Sequence, residues 1–169
     1  QDVTRIAESQ LLIINGAGFE QWLSKTLDNA GGQRLVVEAA AGLSSRVPGP
    51  GEVINPDTAG DPHFWLNPVH VIRYAENIRD GLTAADPAGK TIYTQNAEKY
   101  IQRLTDLDQW IETQISQIPA EKRLLVTNHE SFGYFADRYG FTIIGTIIPS
   151  TSSEASPSAK QMAQLIDRI

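Results

Sequence analysis

The sequence predicts an α/β protein: two lobes with parallel sheets, bridged by a single long helix. Three observations carry this reading. Continuous apolar runs at "LLIIN" (Leu11 to Asn15) and "RLVVEAA" (Arg34 to Ala40) flank a helical pattern, as strands of a covered parallel sheet do. A second pair, "RLLVTN" and "FTIIGTII", flanks another short helical pattern further on. Between the pairs runs an unbroken helical period from Thr91 to Ile118, roughly 28 residues or about 42 Å, which is longer than one small sheet needs. The expected division is residues 1–90 for the N-terminal lobe, 91–119 for the bridging helix and 120–169 for the C-terminal lobe. Both lobes read as incomplete, the first at its start and the second at its end.

Each element has a local cause. Asp2 is placed to cap a short first helix. The run ending at Asn15 meets Gly16, and a helix from Phe19 to Ala30 follows, with Trp22, Leu23 and Leu27 on one face. Residues 42–60, "GLSSRVPGPGEVINPDTAG", show no period and read as a long loop. The next helix starts with Asn67 as N-cap and Pro68 in its first turn, and its expected buried stripe is Val71, Ala75, Ile78 and Leu82. The long helix carries Ile101, Leu104, Leu107, Ile111, Ile115 and Ile118 on one side, and Pro119 stops it. A short helix from Glu130 to Tyr139 joins the last two strands. A final helix is expected near Ser156 and Pro157, carrying Met162, Leu165, Ile166 and Ile169, with no closing cap or strand after it.

Composition narrows the function. At 169 residues and 41% apolar content the chain can bury a core. Its 14 basic and 20 acidic residues are spread without runs, which argues against a nucleic-acid partner or an anionic membrane surface. No apolar stretch reaches the roughly 18 residues of a membrane span. The absence of cysteine excludes disulfides, thiolate metal sites and a Cys nucleophile.

The candidate chemistry lies in two motifs. "VTNHESFGYF" puts His129 at the end of an apolar strand and ahead of a helix, the edge of an open α/β sheet where ligands bind. A helix N-terminus there would disfavour imidazolium and leave a lone pair for a metal. "DPHFWLNPVH" puts His63 in the matching place in the first lobe, where Asp61 can accept its second N–H. On spacing alone, ordinary loop or capping roles are the better account of both histidines, since no short-range metal motif is present. His70, in the first turn of its helix, reads as structural. "NGAGFEQ" has Gln21 where a dinucleotide fingerprint needs its third glycine, so a tight turn is the better reading. His129, Glu130 and Ser131 as a catalytic set rank low, because sequence neighbours do not supply the required geometry. Trp65, Phe132, Tyr134 and Phe135 read as core or cleft wall.

Taken together, "DPHFWLNP", "TNHESFGYFADRYGF" and "SSEASPSAKQMAQLI", in that order and spacing, resemble the cluster A-I solute-binding proteins of ABC importers for zinc and manganese. The resemblance extends to "LLIINGAGFEQWL" and covers nearly the whole chain. It implies two α/β lobes on one rigid helix with a metal ion held between them, zinc in preference to manganese, and delivery to an ABC permease in the membrane. It implies an extracytoplasmic place, periplasmic or as a membrane-anchored lipoprotein, and no catalysis. Carried across, His63 matches the second metal ligand and His129 the third, with Asp61, Trp65, Asn128 and Phe132 around them. Glu130 stands where Asp is usual and Ser156 where Glu is common. A His at the third position, where manganese-selective members tend to have a carboxylate, favours zinc. The His-rich insert common in zinc members is missing from residues 42–60. Rival readings are a manganese or mixed-metal member, a metal-dependent hydrolase with an open coordination position and a general base, and a siderophore- or haem-binding relative with a basic or aromatic cleft.

The resemblance also places the first His ligand ahead of Gln1 and the last, an Asp, beyond Ile169. With two of four ligands, these 169 residues by themselves are expected to bind zinc weakly or not at all. Titration calorimetry checks this, and tight one-to-one zinc binding would refute it.

Overall fold

The computed structural model describes residues 2–46, 60–148 and 158–167. Its first α/β unit comprises α1 (Asp2–Glu8), β1 (Leu11–Ile14), α2 (Ser24–Ala30), β2 (Leu35–Glu38) and α3 (Pro68–Ala85). Then come α4 (Lys90–Ser116), β3 (Leu124–His129), α5 (Gly133–Tyr139), β4 (Thr142–Ile148) and α6 (Ala159–Ile166). Strands β1 and β2 pair in parallel with Leu11 opposite Leu35, and β3 and β4 pair in parallel with His129 opposite Ile148. A register shift between Leu125 and Val126 lets Val126 face Gly145. Most of the 42–60 loop, the expected helix start at Ser156 and Pro157, and Ile169 lie outside the described residues.

Several expected elements shift for physical reasons. The predicted helix from Phe19 begins later, as a single 3-10 turn at Gln21–Leu23 followed by α2. Trp22 lies on the outside of that turn and is 73% exposed, so it is no part of a buried face. The strands are not sealed on both faces: Ile13, Val36 and Leu124 are exposed. Among the described residues each sheet has only two strands, too few to cover one another's faces.

Helix α3 starts as its residues dictate, with the Asn67 side chain accepting from the Val69 N–H at 3.0 Å and Pro68 in the first turn. It lies close on β2 because Gly81 is buried there. A Cβ at Gly81 would come 2.4 Å from Val37 Cγ2. Val71, Ala75, Ile78 and Leu82 are half-buried and turn toward α4, lining a groove with Tyr93, Ala97 and Tyr100.

The long helix packs along α3 and then reaches the second α/β unit. Its buried side differs from the expected aliphatic stripe. Leu104 and Ile115 are buried, but Leu107 is 42% exposed and its neighbour Asp108 is buried instead. Asp108 accepts from both Nε and Nη2 of Arg138 and from the Tyr139 hydroxyl at 2.7 Å. A buried carboxylate survives there because it has a bidentate cation and a phenol.

The Arg138 guanidinium holds the Asp108 carboxyl below its ordinary value of 3.8, burial opposing. A depressed carboxylate pKa contributes stability that is present above the unfolded value and lost as pH falls through the folded one. Asp108→Ala should therefore lower stability by about 2–3 kcal/mol at neutral pH. In urea melts at decreasing pH, the gap from wild type should close below pH 3.8.

Candidate metal centre

The loop that carries His63 is built by its own polar groups. The Asp61 carboxylate accepts from the His63 backbone N–H at 3.0 Å and, through the same oxygen, faces His63 Nδ1 at 2.7 Å. A carboxylate can only accept, so the imidazole proton facing it sits on Nδ1. His63 is 4% exposed and ends in a 3-10 turn over Phe64–Leu66.

Two other segments fix the loop from outside. The Asn15 side chain donates to the Pro62 carbonyl at 3.1 Å and accepts from the Tyr74 hydroxyl. Asn15 is itself set by the turn after β1, where Gly16, Ala17 and Gly18 all have positive φ. The Glu20 carboxylate accepts from the N–H groups of Asn15 and Gly16. In a backbone concavity of the kind that binds anions, the chain's own carboxylate takes those two donors, in keeping with a turn rather than a dinucleotide site.

His129 comes from the other unit, as the last residue of β3. The Thr127 hydroxyl donates to its carbonyl at 2.9 Å, and so does that of Ser131 at 3.4 Å. Ser131 thus engages the carbonyl of His129 rather than its imidazole, which is not a nucleophile–base arrangement. The His63 and His129 rings lie 5.4 Å apart between centroids. Burial pushes the His129 pKa below its ordinary 6.5, helped by the nearby His63 and opposed by Asp61. The expected helix-dipole cause is displaced, because α5 starts only at Gly133 and is seven residues long.

The surrounding residues divide. Trp65 lies 5.1 Å from the His63 ring and meets Phe19 edge-on at 5.3 Å, forming a wall. Asn128 is exposed on β3, and Phe132 precedes α5 and packs edge-on with Phe135 at 5.9 Å. His70 packs in T-shaped contact with the rings of both Phe64 and Tyr134, with its pKa lowered chiefly by burial. Sequence reading missed Asn15 and Tyr74 as supports of the loop. Asn15 ends a strand at the same sheet edge as the site, and that position was the available signal. Among the described residues no group of three or more His, Cys, Asp or Glu side chains is arranged to hold a metal ion.

Fold and site together define an α/β protein that brings together two imidazoles, one at the end of a strand and one in a loop ahead of a helix, a donor set suited to a borderline transition metal. The chain belongs to the family described as zinc-uptake complex component A, periplasmic (ZnuA), whose model matches residues 1–169. It is 32% identical over 168 residues to the manganese-binding lipoprotein MntA of Halalkalibacterium halodurans, covering 99% of this chain and 53% of that protein. It is 31% identical over 175 residues to the zinc-binding lipoprotein AdcA of Streptococcus pneumoniae, covering 99% of this chain and 34% of that one. The periplasmic zinc-binding protein TroA of Treponema pallidum superposes with a TM-score of 0.79 at 27% identity, over 98% of this chain and 58% of its own. The chain thus spans about half or less of the curated relatives' length.

The Asp61 contact should be visible without metal. Nitrogen NMR of the histidine rings should find neutral His63 as the Nδ1–H tautomer, and Asp61→Ala should turn it into a mixture of tautomers.

Proposed function

We propose that the protein captures a divalent metal ion, zinc in the first place, outside the cytoplasm and delivers it to an ABC permease. His63 and His129 are two of the ion's ligands. The observation that carries this reading is the approach of two imidazoles, 66 positions apart in sequence, to 5.4 Å, with Asp61 setting the tautomer of one. Neutral nitrogen donors need no proton removed before they bind, and burial pushes the His129 pKa down, toward that form.

The relatives support the setting. They are lipoproteins that bind manganese or zinc, and the family is described as periplasmic. Capture followed by release requires a site both lobes help to close, with no nucleophile or base. In this reading residues 1–90 and 120–169 belong to the two lobes and α4 is the rigid member between them. A second reading, manganese as the main cargo, is favoured by the manganese-binding name of MntA. Nitrogen donors weigh for zinc, since manganese prefers carboxylate and water oxygen.

Metal analysis of the protein at its natural length tests the reading. Zinc should be present near one equivalent as purified, and His63→Ala and His129→Ala should each lose most of it. Unchanged metal content in both variants overturns the site. Competition between the two ions should leave zinc bound at equal concentrations.

A further inference from the structure

Tyr134 is the second residue of α5, five positions after His129, and is 4% exposed. Its ring stacks on Phe64 at 4.4 Å and 25° and takes the edge of His70 at 5.1 Å. Its hydroxyl leaves its own α/β unit and donates to the Asp61 carbonyl at 2.7 Å. The same hydroxyl accepts from the Arg46 N–H at 3.3 Å, with Ser45 beside it. Arg46 then runs over Gly133, where a Cβ would come 2.5 Å from its guanidinium, and pairs with both Asp137 oxygens at 2.9 Å. Ring, hydroxyl and flanking backbone are all held, so the tyrosine has one accessible rotamer.

Asp61 is consequently gripped at both ends. Its carbonyl is held from the unit that carries His129, and its carboxylate holds the backbone and ring of His63. We propose that Tyr134 is a positioning residue of the metal site: through Asp61 it ties the His63 loop to the unit bearing His129, so the spacing of the two imidazoles is set before the ion arrives. The inference rests on the metal-binding reading above. Burial pushes the phenol up to about 12, so it stays a donor at every physiological pH. A ligand pair held ready spares the ion the cost of ordering a loop, and that difference appears as affinity.

Tyr134→Phe removes the hydroxyl and keeps the ring that packs on Phe64. In the protein at its natural length, zinc affinity measured against a competing chelator should fall about 10- to 100-fold, the usual range for loss of an outer-shell support. A thermal melt run alongside shows whether the ring packing is kept. Because the hydroxyl holds the main-chain carbonyl of residue 61, which Asp61→Ala keeps, the same substitution should lower affinity in an Asp61→Ala background as well. Affinity unchanged in Tyr134→Phe, in either background, overturns the proposal while the metal reading stands. A wild type that takes up no zinc, or histidine variants that keep it, overturns the metal reading and this proposal with it.

Discussion

Asp61 holds the site together with two different atoms. Its carboxylate fixes the backbone and ring of His63, and its carbonyl is fixed by a phenol from the other α/β unit. Without the first contact His63 would be free to choose either tautomer and a range of rotamers. The second ties the loop's backbone directly to the unit that carries His129. Burial gives both contacts their strength, since hydrogen bonds out of water are electrostatically stronger and their absence costs more.

The aromatic cluster explains why such a polar arrangement can be buried at all. Phe64 and Tyr134, with Ala40, form a small core, and Ala17, Leu43 and Tyr74 pack against it. Phe64 is 1% exposed and directly follows His63 in sequence, so the turn that presents the imidazole is anchored by the side chain next to it. Tyr74 and Tyr134 each bring a hydroxyl to this core, and each hydroxyl reaches the same loop, one through Asn15 and one through Asp61. Apolar burial and polar positioning are therefore done by the same residues.

The long helix shows a related economy. A purely aliphatic face would let α4 slide or rotate against the second unit with little penalty. A buried Asp108 satisfied by Arg138 and Tyr139 has one acceptable geometry, because any displacement leaves a charge unpaired. Arg138 also reaches Glu112, one turn on. The histidine pair and this ion pair both depend on α5: Tyr134 near its start faces Asp61, and Arg138 and Tyr139 at its end face α4.

Much of this was legible in the residues themselves. The strand runs, the Asn67 cap with Pro68, the long helical period and the strand-end placement of His129 follow from local propensity and periodicity, which act over a few residues. His63 and Asp61 were legible as a pair because they are two residues apart. The errors arise where contacts are distant. Leu107 and Asp108 exchange their expected places because Arg138, 30 residues on, decides which face of α4 is buried. Trp22 turns outward because the turn before α2 is closed by Glu20 on Asn15 and Gly16 rather than by a helix running from Phe19. By itself the sequence determined the α/β class, the helix caps and which histidines stand at strand ends. Only the tertiary structure decided that His63 and His129 meet and that Asn15, Tyr74 and Tyr134 hold the loop between them. Those partners lie from 47 to 73 residues apart, and no local rule of propensity or period spans that distance.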